Sequence, residues 1–387
     1  MSEVRHFTRN DVAEISDLFA EVFLHDQPTD IDDLRSHFEA VYFDTPFRDD
    51  DCPSLVYANS SGRITAFLGV LPRSMRFKDE RIKAAIAGNL MIRGAKAGAH
   101  ASTGDAAAHS SQLAPAALVK AFFRCPYDIA LTDSANEPAK RIWERAGGQT
   151  LRLYSFRWLK VLKPVSFGLD VLERRGRLRP LVRMAGPLGP LLDRTTGSLV
   201  SMAEPSVPKG CMIEQLEAGE IIDQLENSRL FDLAPSYTEE SFGWIMTMAK
   251  ARRRCGELRA RRVRDSNGQC LGWMIYAGAA GEVGQVLQLY AQPATIDRVF
   301  DCLLADAAEA GVSALSGKVD PLFVDVFSKR QCHLRVTSWS LAQSERQDLL
   351  RPFLVGNALF SELESEGWTR FLNASLKGEF ERIEGAV

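Results

Sequence analysis

Apolar residues three and four positions apart open the chain. In TRNDVAEISDLFAEVF, Val12, Ile15, Phe19, Val22 and Phe23 share one helical face, and Thr8 or Asn10 is placed to cap its start. IDDLRSHFEAVYF repeats the pattern with Leu34, Phe38 and Val41. The period then falls to two. SLVYANSSGRITAFLGVLP reads as strand, tight turn, strand, with Asn59 to Gly62 supplying the turn. IKAAIAGNLMI is apolar enough to be a central strand. Residues 93–111 are small and Gly/Ala/Ser-rich, which predicts a loop. QLAPAALVKAFF predicts a helix with Leu118, Val119 and Phe122 inward and Pro115 in its first turn. YDIALTDSAN predicts a strand. NEPAKRIWERAGG predicts a helix capped by Asn136, with Pro138 in the first turn and Gly147–Gly148 at its end. QTLRLYSFRWLKV reads as one long strand.

The same order returns in the second half. The hairpin SLVYANSSGRITAFLGVL corresponds to RARRVRDSNGQCLGWMIY, with Gly62 matched by Gly268. ALVKAFF corresponds to VFDCLLADA, YDIALTDSANEPAKRIWERAGG to VSALSGKVDPLFVDVFSKRQC, and TLRLYSFRWLK to HLRVTSWSLAQ. Each half spells a mixed α/β (α+β) domain of about 150 residues, the usual domain size. The expected organisation is a first domain over 1–162, a basic Pro/Gly-rich connector over 163–208, a second domain over 209–375 and a tail over 376–387. The connector reads as a segment between domains, partly helical, with contact to a membrane surface as the other reading.

Composition narrows the classes. The chain has 387 residues, 45% hydrophobic and 25% charged, the range of a soluble globular protein and too long for one ordinary core. A net charge of −3 provides no global basic field for nucleic acid. The N-terminus lacks the apolar stretch of a secretory signal. No run approaches the roughly 18 apolar residues of a membrane span. Seven cysteines without a CxxC spacing predict reduced thiols in a cytoplasmic protein. The six histidines form no HxxxH or HxH pair, and His100 with His109 in one loop is too small a ligand set for a metal, so none is expected.

LTDSANEPAKRIWERAGG adds chemistry. Its strand, its asparagine and a helix bearing Asn136, Ala139, Trp143, Glu144 and Gly147 resemble the GNAT superfamily of acyl-CoA-dependent N-acyltransferases. The resemblance covers residues 3–162. Residues 210–375 look like a diverged second copy, and tandem copies are familiar in that superfamily. It implies two mixed, mostly antiparallel sheets flanked by helices, with acyl-CoA in a cleft between the splayed fourth and fifth strands. It places the pantetheine along Leu90, Met91 and Ile92. It places the pyrophosphate on a loop and helix start at Ser110, Ser111, Gln112, Leu113 and Ala114, with Asn136 and Trp143 completing the cofactor-binding set. A helix start presents unpaired N–H groups and partial positive charge to an anion.

The sequence departs from that family in three places. The loop motif Q/R-x-x-G-x-G/A falls on His109 to Ala114, where Gln112 replaces the middle glycine and His109 the first residue. Trp143 stands where many members carry a tyrosine that protonates the leaving thiolate, and an indole has only one N–H to donate. The fourth strand offers no Glu or Asp, only Asn89. Asn89 and Asp133 are therefore the catalytic candidates, with Glu137 or a water chain as other sources of a base. Asp133 also reads as a turn residue bonding nearby backbone.

Two clusters stand outside the resemblance. RRRCGELRARRVR, residues 252–264, carries seven arginines. It reads as an anion site or as a solvated edge strand where charge deters pairing. Tyr237, Phe242 and Trp244, like Trp368 and Phe371, read as core. The expected function is transfer of an acyl group from acetyl-CoA or another acyl-CoA to a small-molecule or peptide amine. Two alternatives stay open: a non-catalytic binding or scaffold protein on the same fold, and a tRNA-dependent aminoacyl transferase that would use the arginine run.

Overall fold

Two mixed sheets are built from strands that cross the expected domain boundary. The structure, a computed structural model, describes residues 2–24, 29–94, 106–164, 167, 205–252 and 256–369, with backbone alone at 106–112. The first sheet has the order β1 (Glu3–His6), β2 (Leu55–Ala58), β3 (Ile64–Phe77), β4 (Glu80–Ile92), β5 (Ile129–Ala135), β15 (Trp339–Gln343), β6 (Gln149–Thr150), and β9 (Leu233–Pro235) pairs with the far end of β3. The second has the order β14 (His333–Val336), β7 (Phe156–Val161), β13 (Ala314–Lys318), β12 (Val283–Ala291), β11 (Cys270–Gly278), β10 (Glu257–Asp265), β8 (Cys211–Gln215). In each sheet a single parallel pair, β4 with β5 and β12 with β13, lies among antiparallel neighbours.

The internal repeat is visible in these sheets. The two hairpins, β2–β3 and β10–β11, turn on Gly62 and Gly268, with φ of +83° and +80° that an L side chain would strain. Helices α3 (Ala106–Phe122) and α7 (Ile296–Glu309) follow the central strands. Asn136 caps α4 (Glu137–Ala146) by accepting from Ala139 N at 3.0 Å. In the second half Asp320 accepts from Leu322 N at 2.9 Å, ahead of α8 (Val324–Lys329).

The final strands of the two repeats trade places. The long strand expected over QTLRLYSFRWLKV is instead β6, a 3-10 turn at Arg152–Ser155, and then β7, which leaves the first sheet. β7 pairs with β13, setting Val161 opposite Ala314 and Arg157 opposite Lys318. In return β15, from the second half, pairs with β5, setting Gln343 opposite Ala130 and Trp339 opposite Ala135. The sheets therefore do not divide at the expected 162/209 boundary. Nearly all of the expected connector lies outside the described residues, as do Phe371 and the tail.

Three apolar clusters follow. One face of the first sheet carries α3 and α4 through Leu118, Val119, Phe122 and Trp143. The outer face of the second carries α7 and α8 through Phe300, Leu303 and Phe327 against Trp158 of β7. Between the sheets a third cluster joins both halves. It holds α1 (Val12–Phe19), α2 (Ile31–Tyr42), α5 (Ala218–Asn227), α6 (Glu239–Ala251) and α9 (Gln347–Val355), with Phe360, Leu363 and Trp368 from the segment that follows. Each fully buried Leu or Phe in these cores contributes about 1.5–3 kcal/mol. Tyr237 and Phe242 are buried as expected, and Trp244 packs edge-on against Phe47 at 5.6 Å.

The part of the arginine run that forms β10 is not an edge. β10 lies between β8 and β11, and its guanidinium groups meet carboxylates. Arg262 and Arg264 both pair with Glu214 and Glu220, Arg261 with Asp306, and Arg259 with Glu257.

An ion pair reinforces the exchange. Lys318, at the end of β13, meets Asp133 of β5 at 3.0 Å, both side chains almost completely buried, with the ammonium 3.9 Å from the Phe360 ring centre. Removing one partner strands the other charge, at a cost of about 3–5 kcal/mol. Lys318→Met is expected to lose that much in urea denaturation, and Lys318→Met with Asp133→Leu to regain most of it. Equal loss in single and double variants would show that the pair does not couple the sheets.

Candidate functional site

β4 and β5 run together for only three register pairs, Ala84 with Ile129, Ala85 with Ala130 and Ile86 with Leu131. Beyond Ile86 the strands part, and residues 87–92 of β4 have no strand partner on that side. At the mouth of this opening β4 carries a bulge. Gly69 of β3 pairs with Gly88, but Phe67 pairs with Met91, which leaves Asn89 and Leu90 unmatched. Asn89 takes a left-handed φ of +50°, a conformation asparagine tolerates better than most residues. A bulge of this kind breaks the ladder and re-aims the backbone and side chains at the point where pairing ends.

Two glycines set how closely other groups approach. A Cβ on Gly69 would collide with the Tyr42 hydroxyl, and one on Gly88 would lie 2.9 Å from Glu366 Cβ and 3.1 Å from Thr369 Oγ1. Isolated glycines inside strands signal such contacts, and AFLGVL and AIAGNL carry them in plain view.

The mouth holds a segment of the same chain. The turn Glu366–Thr369 reaches it from the far end of the sequence. Asn89 Nδ2 donates to Thr369 O at 2.8 Å and lies 3.3 Å from the Tyr42 hydroxyl. His37 Nε2 is 3.4 Å from Thr369 O. Thr132 Oγ1 of β5 donates to Glu366 Oε2 at 2.9 Å, and Glu366 N donates to Asp133 Oδ1 at 3.3 Å. Burial holds the Tyr42 phenol well above its usual pKa. It also lowers the His37 imidazole to about 4, with the nearby Arg252 charge acting in the same direction.

The turn belongs to a strap whose alternate residues are acidic and buried. Glu362, Glu364 and Glu366 are 6%, 2% and 4% exposed, and such carboxylates persist only when bonded. Each has found different partners. Glu362 pairs with Arg157 of β7. Glu364 accepts from Ser361 N at 2.7 Å, Ser361 Oγ at 2.6 Å and the Tyr237 hydroxyl, and burial raises its pKa. Glu366 is held by Thr132. The strap also reaches the corresponding opening of the second sheet, beyond the pairing of Val286 with Gly317. There Phe360 and Glu362 line a small cavity with Gln288, Lys318 and Asp320, and burial raises the Asp320 carboxyl to about 7.

The residues expected from sequence are brought together only in part. Asn89, Leu90, Met91 and Ile92 lie on the free stretch of β4. Asp133 is near them, but its carboxylate is taken by Lys318 and Glu366 N. Trp143 is buried against Phe122 and Phe123, at 6.0 and 5.0 Å. Asn136 caps α4. Helix α3 begins at Ala106, earlier than expected, so Ser110, Ser111, Gln112, Leu113 and Ala114 lie within it and Pro115 lies in its interior rather than its first turn. His100 lies outside the described residues. No group of three or more potential metal ligands occurs among the described residues, nor does a helix long and apolar enough to cross a membrane. Glu366, Thr132, His37 and Tyr42 were not legible as site residues, because more than 200 positions separate Glu366 from Thr132 and no periodicity links them.

No family model matches the chain, and no curated protein does. Solved structures match in fold. A conserved Enterococcus faecalis V583 protein of unknown function, described as a probable N-acyltransferase, superposes with a TM-score of 0.54 at 12% identity over 90% of this chain and 74% of its own. A GCN5-related N-acetyltransferase from Anabaena variabilis ATCC 29413 superposes with a TM-score of 0.52 at 10% identity, over 89% and 73%. The two-sheet architecture is thus the GNAT fold, as the sequence resemblance implied.

The state of His37 makes the seat of the strap sensitive to pH. The unfolded imidazole takes up a proton near 6.5 and the folded one near 4, so the unfolded state binds more protons between those values. Stability is full above pH 6.5 and is lost as pH falls toward 4, by about 3 kcal/mol from this group. Urea denaturation across that range should show the loss in the native chain and a shallower one in His37→Gln. Parallel curves would refute the assignment.

Proposed function

We propose that the chain is an acyl-CoA-dependent N-acyltransferase working at the opening between β4 and β5. The observation that carries the reading is the free stretch of β4 with its bulge at Asn89–Leu90. Unpaired strand backbone can pair with the amides of a pantetheine arm, which an extended ligand does as an added strand would. Leu90, Met91 and Ile92 take that role, and the N-terminal turn of α3 takes the pyrophosphate. Backbone N–H groups re-aimed by the bulge suit the oxyanion of a tetrahedral intermediate.

The reaction asks little of side chains beyond a neutral, positioned amine. The amine nitrogen attacks the thioester carbonyl, the C–N bond forms, the C–S bond breaks, and the amine gives up a proton as the thiol leaves. Asp133 is poorly suited to take that proton, because Lys318 already holds it. Glu366 is better suited: it is a buried carboxylate inside the mouth, anchored by Thr132. Trp143 takes no part, and Asn89 positions the strap that carries Glu366.

A scaffold reading is favoured by one observation, the occupation of the mouth by the chain's own residues 366–369. The tRNA-dependent reading loses its motive, because the described arginines of β10 are already ion-paired.

A thermal-unfolding scan with acetyl-CoA, longer acyl-CoAs and free CoA separates the two remaining readings. A ligand at 100 times its Kd adds about 2.7 kcal/mol of stability, so binding gives a clear upshift. No shift with any CoA species would leave the scaffold reading standing. Once an acceptor is in hand, Glu366→Gln should lower kcat about 100-fold with little change in the KM for acyl-CoA, and should remove the acidic limb of the pH–rate profile. An unaltered profile would exclude Glu366 as the proton acceptor.

A further inference from the structure

Two turns at the C-terminal end of α3 bring a pair of thiols together. Cys52 precedes β2 and Cys125 follows α3, and each is succeeded by a proline, Pro53 and Pro126. A following proline keeps the cysteine's backbone out of the helical region. Each turn is pinned further. Cys52 N donates to Asp49 O at 3.1 Å, and the Asp49 carboxylate holds Lys83 of β4 at 2.5 Å. Cys125 N donates to Phe122 O at 3.0 Å, and the same carbonyl accepts from the Tyr127 hydroxyl at 2.6 Å. The Cys52 side chain donates to the Cys125 sulfur. Both are free thiols.

The two thiols are not equivalent. Cys52 is 1% exposed and belongs to the apolar cluster beneath α3, with Leu55 and Phe122. Cys125 is half-buried, with Arg124 and Pro126 exposed on either side of it. The hydrogen bond divides them again. As donor, Cys52 keeps its proton, and that bond together with burial pushes its pKa up. As acceptor, Cys125 is stabilised as the thiolate, which draws its pKa down against the effect of burial. A thiolate within reach of a dissolved oxidant, backed by a second thiol, is the arrangement of a redox-sensitive cysteine with its resolving partner.

We propose that Cys125 and Cys52 form a peroxide-reactive dithiol, in which Cys125 is oxidised first and Cys52 resolves it. The Cys125 thiolate sulfur takes one oxygen of hydrogen peroxide. The O–O bond breaks, and the departing hydroxide takes up the proton that Cys125 had released. Cys125 is then a sulfenic acid. The Cys52 sulfur attacks it, the S–S bond forms, the S–O bond breaks, and the Cys52 proton leaves with the hydroxyl as water. The thiols together lose two hydrogens, and the peroxide is reduced to two waters. The disulfide joins the C-terminal end of α3 to the segment leading into β2, and a thiol reductant reverses it. This chemistry is independent of acyl transfer.

The test uses the full chain, reduced, freed of reductant and treated with hydrogen peroxide in slight excess. Remaining thiols are blocked with N-ethylmaleimide, and the chain is digested without reduction for mass spectrometry. A peptide carrying Cys52 joined to one carrying Cys125 is expected, and dithiothreitol should separate them. Cys52→Ala keeps the apolar packing and removes the resolving thiol, so Cys125 should stop at the sulfenic acid and be trapped by dimedone. In Cys125→Ser, Cys52 should be oxidised about tenfold more slowly than Cys125 is in the native chain. In urea the joined peptide should fall to the level of other pairings among the seven cysteines, because the fold no longer holds these two together. Absence of the joined peptide in the folded chain overturns the proposal. So does joining that is as abundant in urea, a lack of dimedone adduct at Cys125 in Cys52→Ala, or rapid oxidation of Cys52 in Cys125→Ser.

Discussion

The exchange of β7 and β15 is the constraint on which the rest depends. Each half builds its hairpin, its central strand and its parallel pair, then sends its last strand to the other sheet. Without β15, β5 would present an unpaired edge, and without β7 so would β13. Neither half closes its hydrogen bonding alone. The exchange brings the ends of β5 and β13 close enough for Asp133 and Lys318 to meet, and it makes the space between the sheets a single core rather than two facing surfaces.

Into that core runs a strap that no ordinary hydrophobic segment resembles. Phe360, Leu363 and Trp368 bury in the usual way, while Glu362, Glu364 and Glu366 bury carboxylates between them. Apolar residues at those places would fill the space without the desolvation penalty. What the carboxylates add is register. Arg157 lies on β7, Thr132 on β5, and Tyr237 just ahead of α6, so a slip of the strap would strand charges in an apolar setting. The same arrangement sets Thr369 O under Asn89 and brings a carboxylate into the first opening.

The local chemistry of the fold was largely legible. Gly62 and Gly268 announced two equivalent hairpins, Asn136, Pro138 and Gly147 bounded α4, and the apolar run around Ile86 marked a central strand. Residues 106–111 read as loop but open α3, because small residues carry little periodic signal and alanines serve a helix as well as a loop. The arginine run suggested an edge because its counter-charges, Glu214, Glu220 and Asp306, are distant in sequence. The TLRLYSFRWLK and HLRVTSWSLAQ segments were recognised as equivalents, yet their alternation fits any sheet partner. Nothing in it says that β7 and β15, the last strand of each, pair in the other half's sheet.

The sequence by itself determined the elements, their order and their repetition, because propensity, capping and hydrophobic period act over a few residues. It also placed Asn89 and Leu90–Ile92 on one strand, the one that parts from β5. Tertiary structure alone decided which carboxylate enters the opening, which one is spent on a lysine, and which carboxylates meet the arginines of β10. Those outcomes depend on contacts between segments far apart in sequence, 185 positions for Asp133 with Lys318 and 234 for Thr132 with Glu366, and on the desolvation that makes each buried charge answer to whatever the fold sets beside it.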